Sequence, residues 1–427
     1  MDLTEADPEE LEAAEKSCAE AYDAIKAEGL KLDMTRGKPS PEQLALSDGI
    51  LTAVDSDDVH GDTGTDYRNY GIVEGIAEAR ALFADYMDVT QAEIIVGGNA
   101  SLTMMYDAIA GGILFGMPGG DGPWQAGRDK VIAPVPGYDR HFAVCERLGL
   151  EMVPVEMVDD GPDMDAVEDM VADDATIKGL WCVPKYSNPT GAVYSERTVE
   201  RLAAMKTAAS DFRILWDNAY NVHHISESGP ADVLNILASC EDAGNPDRPL
   251  MFGSTSKMTH PGSGVALLAA SEDNIADAVK KISYASIGPD KINQLRHVRF
   301  FKNMDGILEH MAKHADIVRP RFKAVDDALE DNLAGKGIAE WTRPDGGYFT
   351  SVDLLDDCAA EVVRLASEAG VKFTPAGATH PYGKDPRDRN LRLAPTMPAV
   401  DEVEKAMQVF CTCVELVSVR KLLGKNR

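Results

Sequence analysis

The stretch that decides the fold is Pro249-Leu-Met-Phe-Gly-Ser-Thr-Ser-Lys257-Met-Thr-His-Pro-Gly-Ser-Gly264. Its apolar start predicts the end of a buried strand, which gives way at Gly253 to three hydroxyl residues and then to Lys257. A lysine in such a place is desolvated, so its pKa falls and its neutral amine can attack a carbonyl. The hydroxyls and the free backbone N–H groups can hold a phosphate. Pyridoxal phosphate (PLP) requires both groups, although a solvated loop lysine explains the same window.

The composition is that of a large globular chain with a strongly acidic surface. Its 427 residues exceed the usual size of one domain and predict two. Apolar residues make up 44% of the chain, charged residues make up 26%, and the formal net charge is -29. This charge argues against nucleic acids and anionic membranes as partners. An anionic substrate must therefore be attracted by local cations.

Neither a targeting signal nor a membrane span is predicted. Residues 1–10 are acidic and lack a basic start and an apolar core. No apolar run approaches the ~20 residues that a membrane helix needs. The seven cysteines are scattered, and no second pair complements Cys411-Thr-Cys413 as a zinc site. We therefore expect a cytoplasmic protein with reduced thiols and no metal.

Short apolar runs alternate with helical patterns from about residue 70 to about residue 270. The predicted strands are 93–96, 130–135, 152–155, 178–183, 213–216, 250–252 and 265–270. Between two of them, Ser195 is a predicted N-cap for a helix in which Val199 and Leu202 share a face. Runs without polar alternation, separated by helices, predict an α/β fold with a mainly parallel sheet covered on both faces.

The pattern changes after about residue 289 to long helices and turn-rich β segments, which predicts a smaller α+β domain. The predicted division is an N-terminal segment at 1–48 that packs on the small domain, a large PLP-binding domain at 49–310 and a small C-terminal domain at 311–427. Pro320 is expected to kink or break the long helical stretch predicted at 290–331.

Polar side chains follow several predicted strands, at the edge where parallel sheets bind ligands. Asp217 can pair with a protonated pyridine nitrogen, and Tyr220 can donate to the phenolic oxygen of PLP. Asn188, in an Asn-Pro turn, can reach the same oxygen. Tyr138 can stack on the pyridine face, and Arg392 can bind a carboxylate with two hydrogen bonds.

A glycine-rich turn, Gly97-Gly-Asn-Ala-Ser101, opens a predicted helix. Its N–H groups and the positive end of the helix dipole can hold a phosphate. Each of these features has an ordinary explanation on its own, as a turn, a cap or a packing residue. Their order along the chain and their places after strands favour a single site.

The chain resembles the fold-type I, class I/II aminotransferases over nearly its whole length. The matching motifs are Asn188-Pro-Thr-Gly191, Asp217-x-Ala-Tyr220, Ser254-x-Ser-Lys257 and Arg392. Three further stretches are similar to the bacterial type Ic aspartate aminotransferases: Arg36-Gly-Lys-Pro39, Tyr67-Arg-Asn-Tyr-Gly71 and Ser254-Thr-Ser-Lys-Met258. The resemblance implies a PLP-dependent ping-pong transfer from L-aspartate to 2-oxoglutarate.

The resemblance also implies a role for each matching residue. Lys257 carries the internal aldimine and shuttles the proton, Asp217 pairs with the pyridine nitrogen, and Tyr220 contacts the phenolic oxygen. The other implied cofactor-binding residues are Asn99, Ala100, Ser101, Tyr138, Asn188, Ser254 and Ser256. The residues implied for the substrate α-carboxylate are Gly37, Asn188 and Arg392. Tyr70 is implied to reach the cofactor phosphate of a neighbouring subunit, which makes the enzyme an obligate homodimer.

One departure from the family pattern concerns the phosphate. Many members have an arginine eight or nine residues after the lysine, where this chain has Val265 and Ala266. The phosphate must therefore find another cation or be held by hydroxyls and helix dipoles.

The distal carboxylate of aspartate also requires a cation in so acidic a chain. Arg140 lies two residues after Tyr138 and is the predicted residue. Arg36, Arg68 and Arg296 are alternatives, and a surface salt bridge explains Arg140 equally well.

Other functions stay open on the sequence alone, because a fold type does not fix a reaction. An aminotransferase for aromatic amino acids or alanine, or a β-lyase, uses the same groups. The fold also serves as a sensing module in transcription regulators, but the short acidic N-terminus argues against a DNA-binding domain. A Rossmann dehydrogenase is disfavoured, since no G-x-G-x-x-G follows the early strands.

Overall fold

The computed structural model describes residues 2–425. The α-helices are α1 (Pro8–Ala27), α2 (Pro41–Ala45), α3 (Ala77–Met87), α4 (Ser101–Phe115), α5 (Asp139–Leu148), α6 (Met164–Asp173), α7 (Glu196–Ala204), α8 (Ile236–Asp242), α9 (Glu272–Ala285), α10 (Lys291–Phe301), α11 (Met304–Leu333), α12 (Ala359–Glu368) and α13 (Val400–Leu422). The β-strands are β1 (Leu32–Met34), β2 (Ile94–Val96), β3 (Lys130–Val135), β4 (Glu151–Val158), β5 (Gly161–Pro162), β6 (Ile177–Cys182), β7 (Arg213–Asp217), β8 (Pro249–Ser254), β9 (Ala266–Ala270), β10 (Ala339–Trp341), β11 (Thr350–Leu354), β12 (Val371–Phe373) and β13 (Asn390–Leu393). Within residues 2–425, no helix combines the length and the apolar character that a membrane span requires.

An eight-stranded mixed sheet has the order β2-β9-β8-β7-β6-β3-β4-β5. The neighbours from β8 to β4 in this order run parallel, whereas β9 pairs antiparallel with both β8 and β2. Every residue of β2, β7, β8 and β9 is buried, which explains why their sequences show no polar alternation. The prediction of an α/β fold with a mainly parallel sheet is confirmed.

The carboxyl ends of several strands meet at one edge of this sheet. Since β9 is antiparallel to both β8 and β2, strand β2 runs in the same direction as β8. The ends of β2, β3, β6, β7 and β8 therefore lie on one side of the molecule. Strand β7 ends at Asp217 and β8 ends at Ser254. This is the edge at which ligands bind in such sheets.

The N-terminal helix packs on the C-terminal helix. Helix α1 begins after Asp7, whose carboxylate accepts hydrogen bonds from the N–H groups of Glu9 and Glu10 at 2.9 Å. Its buried face, which includes Leu11 and Cys18, joins a core shared with α13. Strand β1 then pairs in parallel with β12. The N-terminal segment is therefore tied to the C-terminal part of the chain by a helix and by a strand.

A second core lies against the three-stranded antiparallel sheet β10-β11-β13. Helix α11 contributes to both cores, with Ile307 and Met311 in the core of the large sheet and Val325 and Leu329 in the second core. The helix continues through Pro320 without the break that the sequence suggests. The predicted boundary after residue 310 lies inside this helix, and the division into domains stays a prediction.

Candidate active site

A cavity opens at the carboxyl edge of the large sheet. Its lining residues are Ser101, Leu102, Met105, Tyr138, Val183, Asn188, Asp217, Ala219, Tyr220 and Lys257. They follow the strands β3, β6, β7 and β8 or begin helix α4. The topology of the sheet thus assembles, from distant parts of the sequence, six of the residues predicted to bind PLP.

Asp217 is buried at the end of β7, and only one of its oxygens is paired. Its Oδ2 accepts a hydrogen bond from Nε2 of His141 at 3.0 Å, since a carboxylate can only accept. The His141 ring stacks on Trp181, with ring centres 4.0 Å apart. The Oδ1 atom is buried and has no hydrogen-bond partner within residues 2–425. Such an oxygen, on a residue that lines the cavity, fits a cationic N–H donor such as a protonated pyridine nitrogen.

Lys257 lies three residues after the end of β8. Among the described residues that line the cavity, it is the only cation. Its Nζ is 4.7 Å from the centre of the Tyr220 ring. Burial lowers the pKa of Lys257, and the charge of Asp217 opposes that shift. The Tyr348 hydroxyl donates a hydrogen bond to the Lys257 carbonyl at 3.3 Å, which anchors the backbone. A desolvated amine on an anchored backbone suits nucleophilic and base catalysis.

Hydroxyls and backbone N–H groups lie side by side where α4 begins. The Ser256 hydroxyl donates to the carbonyl of Asn99 at 3.3 Å, and the Ser254 hydroxyl accepts from the Ser256 N–H at 3.4 Å. Ala100 is the N-cap of α4 and makes no side-chain cap, and the first turn carries no acidic residue. The N–H of Thr103 donates to the Ala100 carbonyl at 3.1 Å. The N–H groups that precede it in α4, starting at Ser101, are therefore open to an anion.

The position of the usual phosphate-binding arginine is apolar in this chain. Val265 and Ala266 are fully buried, and the Val265 N–H donates to the Thr255 hydroxyl at 2.9 Å. Among the described residues that line the cavity, Lys257 is the only cation. Neutral donors at the start of α4 and in the Ser254–Ser256 turn are candidates for holding a phosphate.

Arg392, on β13, extends to the same region from the small sheet. Its Nη1 donates to Oδ1 of Asn188 at 3.2 Å and to Oδ1 of Asp139 at 2.9 Å. The guanidinium carbon lies 4.8 Å from the centre of the Phe349 ring. The Nε atom is buried and has no partner in the described part of the chain. One edge of the planar guanidinium can therefore donate to a carboxylate.

Gly37 lets its loop approach Phe349 closely. A Cβ atom at this position would lie 2.6 Å from two carbons of the Phe349 ring. A side chain here would displace the ring that packs against Arg392. Gly37 and the Arg392 guanidinium therefore both lie beside the Phe349 ring.

Comparison with known proteins identifies the family. The family model for aspartate amino-transferase matches residues 6–426. The chain belongs to the aspartate aminotransferase family. A protein of Mycolicibacterium smegmatis described as a putative aminotransferase is 50% identical over 408 residues, which cover 94% of this chain and 95% of the relative. An aspartate aminotransferase of Corynebacterium glutamicum is 43% identical, over 98% of this chain and 96% of the relative.

A solved structure confirms the architecture of this aminotransferase. The crystal structure of an aspartate transaminase from Corynebacterium glutamicum matches with a TM-score of 0.97 at 42% identity, covering 99% of both chains. The assignment to the family and the predicted fold-type I architecture are therefore confirmed.

The structure of this aminotransferase does not bring Arg140 to the cavity. Arg140 is exposed on α5 and lines a surface hollow with Tyr106 and Arg147. Arg140 is not among the residues that line the cavity, whereas Tyr138 is. The predicted contact of Arg140 with the distal carboxylate of the substrate stays a prediction.

Tyr70 also lies outside the cavity. Its side chain is 81% exposed, and its backbone N–H donates to Oδ1 of Asn69 at 2.9 Å. Its expected role requires a second subunit and stays a prediction.

Sequence reasoning misses several residues around the cavity, namely His141, Trp181, Phe349 and Asp139. The sequence signal for His141 is its spacing of three residues from Tyr138, because residues three apart at a helix lie on the same face. The centres of the two rings are 4.9 Å apart. Trp181 carries no such signal, since only the pairing of strands brings it beside α5.

Three buried histidines make the stability of this aminotransferase sensitive to acid. Burial lowers the pKa of His223 to about 3, of His297 to about 4 and of His314 to about 3. Each value lies below the unfolded value of about 6.5, so the unfolded chain binds more protons as the pH falls. The stability that these neutral rings contribute is complete above pH ~6.5 and is lost as the pH approaches their folded pKa values.

Between about pH 7.5 and about pH 5.5 we expect the free energy of unfolding to fall by at least about 4 kcal/mol, roughly 1.4 kcal/mol for each ring. Carboxyl groups with lowered pKa values titrate below this window. Denaturant unfolding at the two pH values measures the loss. His223→Phe should remove about a third of it, because neither ring nitrogen of His223 is hydrogen-bonded within residues 2–425. Equal losses in wild type and His223→Phe would contradict this account.

Proposed function

We propose that this chain is a PLP-dependent aspartate aminotransferase. It exchanges the amino group of L-aspartate with the oxo group of 2-oxoglutarate, giving oxaloacetate and L-glutamate in a ping-pong reaction. The observation that carries the proposal is the buried, unpaired Oδ1 of Asp217 in the same cavity as Lys257. The two groups match the ring nitrogen and the aldehyde of PLP. The identity with an aspartate aminotransferase of Corynebacterium glutamicum supports the choice of substrate.

Residues of this chain suit each part of PLP. When bound, PLP supplies an electron sink for the negative charge that develops at the substrate α-carbon. Asp217 holds the ring nitrogen protonated, and Tyr138 stacks on the ring. The residues proposed for the phosphate are Asn99, Ala100, Ser101, Ser254 and Ser256.

Tyr220 and Asn188 are proposed donors to the phenolic oxygen. Burial raises the pKa of Tyr220 well above its usual value, so the hydroxyl stays protonated and donates. The Asn188 side-chain oxygen already accepts from Arg392, which leaves its NH₂ group to donate toward the cavity. Both side chains are buried, so their hydrogen bonds are strengthened by the exclusion of water.

Lys257 is the proposed carrier of the proton lost by the substrate α-carbon. Its lowered pKa increases the neutral fraction of Nζ, and only a neutral amine accepts a proton. Arg392 and Asn188, with the loop of Gly37, hold the α-carboxylate and fix the orientation of the bond to be broken.

Oxaloacetate release from L-aspartate and 2-oxoglutarate tests the proposal, with NADH oxidation by added malate dehydrogenase as the readout. We expect kcat/KM for aspartate to exceed that for alanine or phenylalanine by at least about tenfold. Higher values with alanine or phenylalanine would indicate another aminotransferase. Pyruvate and ammonia from a β-substituted amino acid would indicate a β-lyase, and tight PLP binding without turnover would indicate a regulatory module.

We further propose that the enzyme is a homodimer. Five large apolar side chains near the ends of α4 and α9 are each at least 63% exposed: Tyr70, Leu114, Phe115, Tyr284 and Ile287. They belong to one face, because the N–H of Gly71 donates to the Ile287 carbonyl at 3.0 Å and Lys281 donates to the Gly116 carbonyl at 2.8 Å. A patch of this kind favours a covered interface. A second copy of the chain, into which Tyr70 extends, is the proposed occupant.

Tyr70→Phe should weaken the binding of PLP about tenfold or more, because it removes a hydroxyl donor to a charged phosphate. A PLP titration of the apoenzyme measures the affinity, and light scattering measures the assembly, which should stay dimeric. Tyr284→Phe makes the same chemical change on the same face and should leave the affinity for PLP unaltered. A fully active monomer, or equal affinities in Tyr70→Phe and wild type, would contradict the shared site.

A cytoplasmic location is also proposed. All seven cysteines are free and buried, and none forms a disulfide. Such a pattern is typical of a reducing compartment.

A further inference from the structure

Asp139 is a carboxylate contact of Arg392 at the proposed substrate site. We propose that Asp139 opposes the binding of the substrate α-carboxylate at Arg392 and thereby sets the affinity of the enzyme for amino-acid and oxo-acid substrates. This inference rests on the proposed role of Arg392.

The ion pair joins the two parts of the chain. Asp139 is the first residue of α5, beside the large sheet, whereas Arg392 belongs to β13 of the small sheet. The Asp139 Oδ1 and Arg392 Nη1 atoms are 2.9 Å apart, and the side chains are 37% and 7% exposed. A buried cation is therefore paired with a half-exposed anion that can turn toward solvent.

The site needs an anion before the substrate arrives. The other contacts of Arg392 are neutral, namely the Asn188 side-chain oxygen and the face of the Phe349 ring. A buried guanidinium without a counter-ion is costly, so Asp139 stabilises the free enzyme. Once a substrate carboxylate binds the same guanidinium, two negative charges share one cation. Their repulsion is only partly screened in a buried site.

Asp139 also orients Arg392. This orientation favours binding of the substrate carboxylate, whereas the negative charge of Asp139 opposes it. Asn188 and Phe349 orient the same guanidinium, so the loss of one hydrogen bond is partly compensated. Among the described residues, Arg392 is the only ion-pair partner of Asp139, so no second paired cation offsets the negative charge that Asp139 adds beside the substrate. The charge effect is therefore the larger. Its consequence is selectivity, because small anions that depend on Arg392 alone bind poorly while substrates with further contacts still bind.

Two substitutions separate charge from orientation. Asp139→Asn removes the charge and keeps an oxygen acceptor for Nη1, whereas Asp139→Ala removes both. We expect Asp139→Asn to lower KM for aspartate and for 2-oxoglutarate about fivefold to tenfold. Calorimetry with the PLP-loaded enzyme should show the same gain for maleate, an unreactive dicarboxylate, and inhibition by acetate should strengthen. Asp139→Ala should gain less, since Arg392 is then less well oriented.

The control is Glu146→Gln, which removes a negative charge from the exposed face of the same helix. Weaker or unchanged binding of maleate and acetate by Asp139→Asn would overturn the inference, and weaker binding would show that Asp139 only positions Arg392. An equal gain in Glu146→Gln would also overturn it, because the effect would then be one of net charge. Failure of the proposed function gives a different result, since the wild type would neither transaminate nor bind maleate.

Discussion

Lys257→Ala is expected to lower kcat/KM for transamination by on the order of 10⁵-fold or more, the scale seen when the central group of a catalytic unit is removed. The physical reason is that no second amine lines the cavity within the described residues. Both the covalent attachment of PLP and the transfer of the substrate proton are assigned to this one Nζ atom. Initial rates with the coupled assay measure the loss.

A chemical readout accompanies the kinetic one. Borohydride treatment of the PLP-loaded wild type should fix the cofactor on Lys257, as located by peptide mass spectrometry, and should fix none in the variant. Lys185→Ala is the matched control, since burial also lowers the pKa of Lys185 but that lysine does not line the cavity. Label on another lysine, or substantial turnover by Lys257→Ala, would defeat the assignment.

Asp217→Asn should retain PLP but lower kcat/KM by on the order of 10³-fold, because a neutral amide does not hold the pyridine nitrogen protonated. The substitution preserves the size of the side chain, and its oxygen can still accept from His141. The loss should therefore appear in turnover more than in folding. Steady-state rates and a PLP titration separate the two effects.

The control for a buried carboxylate is Asp211→Asn. Asp211 is as deeply buried as Asp217, but both of its oxygens are paired, with Trp124 at 2.8 Å and Lys178 at 2.7 Å. Its loss should lower stability and leave the chemistry of the loaded enzyme intact. If Asp217→Asn turned over at nearly the wild-type rate, the role of the unpaired Oδ1 would be wrong.

The strands were predictable because their signal is local. The buried strands of the large sheet contain continuous apolar runs, and polar groups stand at or just beyond their carboxyl ends, as at Asp217. Parallel pairing then places these groups together without further information. Lys257, Asp217, Tyr220 and Asn188 therefore follow from the sequence and reach one cavity.

The positions of the other site residues depend on the direction of each side chain along its helix and on contacts between segments that are distant in sequence. Arg140 and His141 are neighbours in sequence, yet Arg140 is exposed whereas His141 is buried and donates to Asp217. The pairing of Asp139 with Arg392 joins residues 253 positions apart, and no local pattern encodes it. The role of Tyr70 requires a second subunit, which one sequence does not supply.

Helix α11 links the energetics of the two cores. The first half of α11 packs in the core of the large sheet, and its second half packs in the core of the small sheet. The loss of either core therefore exposes apolar side chains of the same continuous helix. The two cores cannot melt independently without fraying the element they share, and this coupling favours cooperative unfolding of the whole chain.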